Sequence, residues 1–498
     1  MKLLRLARVW MRLPREQRLS LGLTLPRILG DLARAQATAD SFWEPDPAYG
    51  YAEWIARWDT LGEADRAAIR AHIASLPRRP RFRLVLAEGD AADAARTRAS
   101  VARQLYPEHG GDGPADWVMH LRPGDVLAEH ALYWFACEAL ARPQATLIYS
   151  DDDLLDERGE RSHPRFKPDW SPEYRRSCDY IGNAAVERPG EGEVAHVPAV
   201  LLHRGAGNEQ PPRRLRHPLP RPAPRVSILI PTRDAPELLR RCVQSVLQLT
   251  RYAAFEVLVV DNRSRSREAL ALLSELAARA QVRVLRYGRR FNYAALNNFA
   301  AREARGEALC LLNNDTEVLR ADWLEELVGH LAQPGAGAVG AKLVYPDGRV
   351  QHAGMAVGVG GVARHLHAPP EIGAAAREVS AVTGACLLTW KRLYQQLGGL
   401  EERLAVSFND VDYCLRLQRA GHRVIYTPHA ELLHHESATR GRDDLPLRRL
   451  RMMREMRYMR AVWGERMRHD PYYNPNLSDR RPDFSLAERP RVRRPWTS

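Results

Sequence analysis

The chain of 498 residues contains no uninterrupted apolar run of about 18 residues, so we expect no transmembrane helix. Its first residues, MKLLRLARVWMRLPREQR, are largely apolar, but Arg5, Arg8 and Arg12 interrupt them. The apolar core of a secretory signal contains no such charges, so we expect no export by a signal peptide. We therefore expect a cytoplasmic protein, with peripheral binding to the inner face of the membrane left open.

Cysteine motifs and phosphate-binding glycine motifs are also missing. The six cysteines include no CxxC pair, which indicates reduced core cysteines and argues against a disulfide framework or a zinc site. No Walker A motif occurs, and no GxGxxG follows the first predicted strand after residue 224. The sequence therefore does not predict a dinucleotide-binding protein.

Positively charged residues outnumber negatively charged ones. The net charge is +13, carried almost wholly by arginine, and it favours attraction to polyanions such as nucleic acid, anionic lipid or phosphorylated substrates. An arginine-rich proteome would give the same composition. Because no helix-turn-helix, RNP or zinc signature accompanies the charge, we expect no nucleic-acid partner. Hydrophobic residues make up 45% of the chain, which excludes wholesale disorder.

A segment rich in Pro and Arg, residues 208–224, divides the chain. Proline fixes φ and removes a backbone donor, so this segment is predicted to be a stiff, extended linker. We expect an N-terminal domain over 1–207, a catalytic domain over 225–440 and a basic helical extension over 441–498.

Strand-like and helix-like segments alternate directly after the linker. Apolar, β-branched runs alternate with runs of helical spacing, and the predicted segments are 225–231, 236–249, 255–262, 267–280, 282–287, 293–304 and 307–315. Strands that are apolar along their whole length indicate a parallel sheet covered on both faces. In such α/β sheets ligands bind at the carboxyl ends of the strands. Those ends carry Thr232, Asp261 and the triplet Asn313-Asn314-Asp315.

The motifs ILIPTRD, VVDN, FNYAALNN, LLNNDTEV, QHAG, VTGAC, FNDVDYCLR and HHES follow one another over about 226–440. In this order they resemble the family 2 inverting glycosyltransferases of the GT-A fold, a mostly parallel sheet flanked by helices. The similarity is strongest to the rhamnosyltransferase-like branch, which builds bacterial surface polysaccharides. The phrase DPYYNPNLS (470–478) is also similar to the ending of that branch.

The resemblance implies transfer of a sugar from a nucleotide-sugar donor to a lipid-linked or polysaccharide acceptor, with a divalent cation, Mg²⁺ or Mn²⁺. Asp315 and His434 are then the metal ligands. Asn313 occupies the place of the first acid of the family's Asp-x-Asp motif, which puts strict metal dependence in doubt. The other donor-binding positions that the resemblance implies are Pro231, Thr232, Arg233, Asp261, Asn292, Asn297, Asn314 and Arg440. Asn292 and Asn297 are equally compatible with helix caps.

The resemblance also implies a catalytic base and an acceptor pocket. Asp410 matches the position of the general base, and Asp412 is a supporting carboxylate with a structural alternative. The positions that match an acceptor or sugar pocket are His352, Thr383 and Gly384. Turns that require glycine would explain those motifs equally well.

The N-terminal half resembles the same family more faintly, in YAEWI (51–55), residues 147–174 and HVPAVLLHR (196–204). LRPGDVL (121–127) stands where the metal motif would be, with Arg122 and Gly124 in place of the acids. An arginine repels a cation, so we interpret this half as a degenerate glycosyltransferase-like α/β domain. The acidic run Asp151–Asp153 is then not a metal site. Scaffolding and acceptor binding are both open roles.

Two basic helices are candidates for binding an anionic membrane surface. Arginine and lysine recur at helical spacing from Lys2 to Arg15, and RRLRMMREMRYMRAVW covers 448–463. Docking of either helix on the protein is the alternative. For the whole chain, the alternative to an enzyme is a non-catalytic carbohydrate-binding or scaffold subunit. The acids Asp261, Asp315 and Asp410 argue against it.

Overall fold

The computed structural model describes residues 50–110, 113–205, 211–435 and 446–497. The predicted N-terminal basic helix and Arg440 lie outside these ranges. Within them, no helix combines the length and the apolar character that a membrane span requires.

The N-terminal half folds around a mixed sheet with strand order β1-β2-β6-β4-β7-β3, and β5 pairs with β4. β1 is parallel to β2 and β4 is parallel to β7, whereas the other pairs are antiparallel. The strands are β1 (Phe82–Leu86), β2 (Trp117–Leu121), β3 (Val126–Leu127), β4 (Ala145–Leu155), β5 (Arg161–Arg165), β6 (Ala185–Glu187) and β7 (Glu193–Arg204). The helices are α1 (Tyr51–Trp54), continued by a π-helical turn (Ile55–Asp59), α2 (Glu63–Ser75), α3 (Ala91–Ala102), α4 (Ala131–Ala141) and α5 (Pro172–Ser177).

The C-terminal half contains a larger sheet with strand order β10-β9-β8-β11-β18-β13-β19-β12, to which β14 and β17 add at β13 and β19. Its strands are β8 (Val226–Thr232), β9 (Phe255–Asp261), β10 (Val282–Arg286), β11 (Ala308–Leu312), β12 (Thr316–Val318), β13 (Ala336–Val344), β14 (Val350–His352), β17 (Arg377–Glu378), β18 (Cys386–Trp390) and β19 (Arg423–His434). A small separate hairpin pairs β15 (Met355–Val357) with β16 (Ala363–His365). The helices are α6 (Pro236–Leu249), α7 (Arg267–Ala277), α8 (Tyr293–Glu303), α9 (Trp323–Leu331), α10 (Pro370–Gly373), α11 (Lys391–Gln396), α12 (Asn409–Arg419) and α13 (Pro446–Trp463).

The predicted alternation of strands and helices after the linker is confirmed. β10, β9, β8 and β11 are mutually parallel, and every residue of β8, β9 and β11 is buried. Successive side chains of a strand point to opposite faces, so Ile228 and Ile230 join one apolar cluster and Leu229 joins the other. The predicted fold class, an α/β domain preceded by a second α/β domain, is therefore confirmed.

The two sheets repeat one pattern. β1-β2-β6-β4-β7-β3 corresponds, strand by strand and direction by direction, to β8-β11-β18-β13-β19-β12. The N-terminal sheet ends at β1 in the part of the chain that the structure describes. It has no counterparts there of β9 and β10, the strands that end at Asp261 and Arg286.

The predicted linker is extended in its described part, where residues 211–225 contain no helix or strand. Arg214 and Arg216 form ion pairs with Asp322 and Glu326 of the C-terminal half. These ion pairs attach the linker to the N-terminal end of α9. The domain boundaries set by the linker remain a prediction.

The predicted basic extension packs against both halves. In α13, Met459 and Trp463 are buried in the C-terminal half, which favours docking over membrane binding for this helix. Farther on, Asn474 donates to the Asp151 carboxylate at 2.9 Å, and Trp496 Nε1 donates to Asp65 at 2.9 Å in the N-terminal half.

The acidic run of the N-terminal half is fully buried and paired with cations. Asp152 contacts Lys167 Nζ at 2.6 Å, and Arg165 and Arg204 donate to the same carboxylate at 2.7 Å. Burial alone would raise the pKa of Asp152, but these three cations lower it to about 2. The run is therefore part of a structural network, consistent with the interpretation that it is not a metal site.

Removing the Asp152 carboxylate should destabilise the protein strongly. Asp152→Ala leaves three buried or half-buried cations without their shared partner, and we expect the free energy of unfolding to fall by about 3–5 kcal/mol. Urea denaturation at neutral pH measures this loss. Because the folded pKa is lowered, the stabilisation is present above the unfolded pKa of about 4 and is lost as the pH falls below it.

The matched control is Glu53→Ala, which removes a largely exposed pair with Arg57. We expect a loss below about 1 kcal/mol there. An equally small loss for Asp152→Ala would contradict the structural role of the network.

Candidate active site

The polar ends of the parallel strands meet at one edge of the C-terminal sheet, as the sequence predicts. Thr232 lies opposite Asp261 in the register of β8 and β9. Asn314 Nδ2 donates to Thr232 Oγ1 at 3.1 Å and links the end of β8 to the turn after β11. Pro231 is buried in β8, whereas the Arg233 side chain is half exposed beyond the strand.

Asp261 is 1% exposed and carries a partner that the sequence did not indicate. Arg286 Nη1 donates to Asp261 Oδ2 at 2.5 Å, and the backbone N–H of Ser264 donates to Oδ1 at 3.1 Å. Arg286 lies opposite Asp261 in the register of β10 and β9, and its side chain is 58% exposed. The end of β9 therefore presents a buried acid together with an exposed guanidinium, which suits recognition of a nucleotide.

The two predicted metal ligands face each other across the sheet edge. Thr316 pairs with His434 in the register of β12 and β19, and His434 Nε2 lies 3.2 Å from Asp315 Oδ1. Asp315 is 6% exposed, and its Oδ1 atom has no hydrogen-bond partner. An unsatisfied buried carboxylate oxygen is costly, and a cation would satisfy it.

The orientation of His434 also suits a metal ligand. Its Nδ1 atom lies 2.6 Å from Gln351 Oε1, which accepts the hydrogen and leaves the lone pair of the neutral ring on Nε2. Asn313 Nδ2 lies 3.4 Å from the same Nε2 atom. Gln351 was not predicted; the signal was its place directly before His352 in the QHAG motif.

Asp410 lies in the first turn of α12, and the backbone fixes its position. Phe408, the residue that caps this helix, has φ of 65°, which is a strained conformation for a phenylalanine. Gly384 N donates to Asp410 Oδ2 at 2.9 Å, and Tyr293 Oη donates to the Gly384 carbonyl at 2.8 Å. Burial raises the pKa of Tyr293, and the nearby charges of Asp410 and Asp315 raise it further. Tyr293 is therefore near both the candidate base and the candidate metal site.

Asp412 has both carboxylate oxygens engaged in structural contacts. Trp463 Nε1 of α13 donates to Oδ1 at 2.9 Å, and Arg416 Nε donates to Oδ2 at 2.8 Å. The residue is 1% exposed. These contacts favour the structural alternative for Asp412, in which it fastens α13 to α12.

The two predicted asparagines on α8 have local partners. Asn292 is the N-cap of α8, where its side chain accepts from Ala295 N at 3.0 Å. Asn297 is fully buried and donates to the Tyr293 carbonyl at 2.9 Å, while its Oδ1 atom has no partner. The cap alternative describes Asn292 well, and neither contact tests a role in donor binding.

The predicted pocket residues differ in their accessibility. His352 is fully buried against His365, with 2.8 Å between their Nδ1 atoms, and burial holds its pKa well below the ordinary value. Thr383 is 9% exposed and accepts from Ala385 N at 3.3 Å. Gly384 contacts Asp410, so Thr383 and Gly384 adjoin the candidate base, whereas His352 directly follows Gln351, the partner of His434, in β14.

Part of the chain matches a known protein family. Residues 227–398 match the model of a family described as glycosyl transferase family 2. The matched segment makes up about a third of the chain. It contains the carboxyl ends of β8, β9 and β11, while Asp410 and His434 lie beyond it in the chain.

Two curated relatives match most of the chain. It is 36% identical over 487 residues to the uncharacterized protein y4gI of Sinorhizobium fredii, covering 82% of this chain and 52% of the relative. It is 34% identical over 521 residues to the O-antigen biosynthesis protein RfbC of Myxococcus xanthus, covering 88% of this chain and 39% of the relative. The chain thus spans about half or less of the length of these relatives.

Among solved structures, the chain is similar to GalNAc-T7, determined with UDP, GalNAc and Mn²⁺. The sequence identity is 16%, the TM-score is 0.40, and the match covers 49% of this chain and 50% of the other. Nothing about substrate follows from a likeness of this size.

The structural role of Asp412 leads to a prediction. Asp412→Ala leaves the buried Trp463 N–H without an acceptor, so we expect the free energy of unfolding to fall by about 1–3 kcal/mol. Thermal unfolding followed by circular dichroism measures the loss. Trp463→Phe should cause a similar loss, and the double variant should lose less than the sum of the two, because both changes remove the same contact. Full additivity would contradict the assignment.

Proposed function

We propose that the chain is an inverting glycosyltransferase that moves a sugar from a nucleotide-sugar donor to a lipid-linked or polysaccharide acceptor. The observation that carries the proposal is that Asp261, the Asp315–His434 pair and Asp410 lie around the same strand ends. Asp410 accepts from Gly384 N, and the carbonyl of the next residue, Ala385, accepts from Asn313 N. The match of residues 227–398 to a glycosyltransferase family supports the reaction class. The relative named for O-antigen biosynthesis supports surface polysaccharide as the product, and the motif resemblance makes rhamnosyl transfer the narrower hypothesis.

The proposed reaction is a single displacement at the anomeric carbon. The acceptor hydroxyl oxygen forms the new bond to that carbon while the bond to the donor diphosphate oxygen breaks. Asp410 Oδ1 or Oδ2 takes the hydroxyl proton, and the diphosphate leaves with the bonding electrons. Because one face of the carbon is attacked as the other loses its substituent, the configuration inverts. Asp410 is half-exposed in the first turn of α12. Each carboxylate oxygen accepts one backbone N–H, from Gly384 or Val411, and keeps a further lone pair for an acceptor hydroxyl.

The donor is proposed to lie along the strand ends. Asp261 accepts hydrogen bonds from the base or ribose, and the exposed Arg286 guanidinium lies beside it. Thr232 and Asn314 form the floor between this nucleotide site and the metal pair.

The residues present fit a divalent cation at Asp315 and His434, because a buried carboxylate oxygen without a partner faces an imidazole nitrogen oriented by Gln351. Such a cation, when bound, neutralises charge on the leaving diphosphate. Asn313 supplies an amide at the place of a second carboxylate. The protein site therefore holds less negative charge than a pair of acids would.

A screen of donors tests the reaction class. The full chain is incubated with UDP-, GDP- and dTDP-sugars, with Mg²⁺ or Mn²⁺, and release of the nucleoside diphosphate is measured. We expect hydrolysis of one donor class above the background without protein. Binding of a polysaccharide without hydrolysis or transfer from any donor would favour the non-catalytic carbohydrate-binding alternative.

Loss of the base should remove turnover and leave the donor bound. For Asp410→Asn we expect a decrease of about 10²–10⁴-fold in turnover of the donor identified by the screen. Calorimetry should show unchanged affinity for the nucleoside diphosphate. The control is Asp347→Asn, an exposed acid in the turn before β14. A wild-type rate for Asp410→Asn would contradict the assignment.

Metal and nucleotide should bind in a mutually dependent way. One carboxylate and one imidazole bind a hard cation weakly, so the donor diphosphate must supply further ligands. Linkage makes the coupling reciprocal. We expect little Mn²⁺ binding at this site without nucleoside diphosphate and clear binding with it, measured by calorimetry.

Two variants make the coupling experiment specific. Asp315→Ala should abolish the coupling, and Asn313→Asp should strengthen Mn²⁺ binding without nucleotide, because it adds a carboxylate. Coupling that survives Asp315→Ala would place the cation elsewhere.

A further inference from the structure

Three potential metal ligands from three parts of the chain meet away from the candidate active site. They are Glu173 in α5 of the N-terminal half, His217 in the linker and His330 near the end of α9 in the C-terminal half. One ligand atom from each lies within 4.8 Å of the others. Glu173 and His330 are fully buried, and the His217 side chain is 9% exposed.

The path of the linker brings the imidazole rings of His217 and His330 close to each other. The His217 carbonyl lies where a side chain at position 329 would begin: a Cβ on Gly329 would be 2.8 Å from that oxygen. Glycine at this position therefore lets the linker pass directly over α9. The His217 and His330 rings lie 4.8 Å apart between centroids, at 82° to each other.

The distances around the Glu173 carboxylate fit a small divalent cation. Glu173 Oε2 lies 3.0 Å from His217 Nε2 and 3.7 Å from His330 Nδ1. In a tetrahedral zinc site, metal–ligand distances of about 2.0–2.2 Å place neighbouring ligand atoms roughly 3.3–3.6 Å apart. These two separations lie on either side of that range, and the ligand nitrogens of the two imidazoles lie within 4.8 Å of each other. Closing the site around a cation therefore requires side-chain movements that bring the two rings together.

The unsatisfied ring nitrogens of His330 are independent evidence for a ligand at this position. The residue is fully buried, and neither ring nitrogen has a hydrogen-bond partner. Buried polar groups in proteins are nearly always satisfied. A cation between Glu173 Oε2 and His330 Nδ1 would supply that partner.

Two guanidinium groups lie on the other oxygen of the same carboxylate. Arg176 Nη1 is 3.2 Å and Arg423 Nη1 is 3.4 Å from Glu173 Oε1. Arg423 is closer to the buried Glu378, at 2.6 Å, so much of its charge is already paired there. The arginines thus contact Oε1, while the imidazoles face Oε2.

We propose that Glu173, His217 and His330 bind a divalent cation such as Zn²⁺, which holds the N-terminal half, the linker and the C-terminal half together. Two imidazoles and one carboxylate suit Zn²⁺, whereas Mg²⁺ and Mn²⁺ prefer oxygen ligands. The role is structural, because the cation joins three segments that are far apart in sequence. It is separate from the cation proposed at Asp315 and independent of nucleotide.

Zinc and cobalt binding to the full chain test the proposal. The protein carries Asp315→Ala to remove the other candidate cation site, and it is treated with chelator and then dialysed against Zn²⁺. We expect one Zn²⁺ per chain without nucleotide, and a higher unfolding temperature in its presence. Titration with Co²⁺ should give the intense visible absorption of a tetrahedral site.

Single variants in that background separate the proposed ligands from their surroundings. Glu173→Gln, His217→Ala and His330→Ala should each lose the bound Zn²⁺, the Co²⁺ spectrum and the metal-dependent rise in unfolding temperature. The control is His429→Ala, a half-buried histidine whose Nε2 atom also lacks a partner. It should retain all three.

Absence of stoichiometric Zn²⁺ in the background protein, or its retention in His217→Ala, would overturn the proposal. His217 lies on the linker, so its variant serves if His330→Ala does not fold. None of these readouts depends on transfer activity, so a failed zinc site and a failed glycosyltransferase assignment remain distinguishable.

Discussion

The pairing of Thr316 with His434 is the contact on which the candidate active site depends. It sets Asp315 beside His434 at the sheet edge, although the two residues are far apart in sequence. Side chains alternate along a strand, so a slip of one residue between β12 and β19 would turn His434 away from Asp315. β19 is held against slipping because it also runs parallel to β13, with an irregularity between Ala341 and Lys342. The geometry of the site therefore rests on the packed sheet rather than on surface loops.

The N-terminal half has the same strand order as six strands of the C-terminal sheet but pairs the corresponding side chains differently. Val126 pairs with His203 as Thr316 pairs with His434, yet His203 bonds to Asp153 at 2.7 Å within a buried ionic network. Arg122 stands at the turn where the other half presents its metal motif, and the strands equivalent to β9 and β10 are not found in the described residues. By the same register Asp125, which precedes Val126, corresponds to Asp315, but its carboxylate accepts from the backbone N–H of Arg122 at 2.8 Å. The tail that follows α13 contacts both halves: Asn474 donates to Asp151 in the N-terminal half, and Asp470 accepts from Val357 N in the C-terminal half.

Much of the C-terminal fold was predictable, because its strands are continuous apolar runs and its helices have clear amphipathic spacing. The positions of Asp261 and Asp315 followed from the rule that strand ends in parallel sheets share one edge. The antiparallel insertion of β18 between β11 and β13 was not predictable from local patterns, since it depends on pairing across long sequence separations. For the same reason Arg286, Gln351 and the His217–His330 approach were missed. A lone histidine in a proline-rich linker carries no local signal, and scarce cysteine argued against zinc.

The central claim is that the donor binds at the carboxyl ends of β8, β9 and β11, with its cation at Asp315 and His434. Anomalous diffraction at the manganese edge, from crystals grown with a nucleoside diphosphate and Mn²⁺, tests it most directly. The account predicts one nucleotide-dependent manganese peak within bonding distance of Asp315, with the base beside Asp261. A nucleotide bound in the N-terminal half, or manganese away from Asp315, would contradict it.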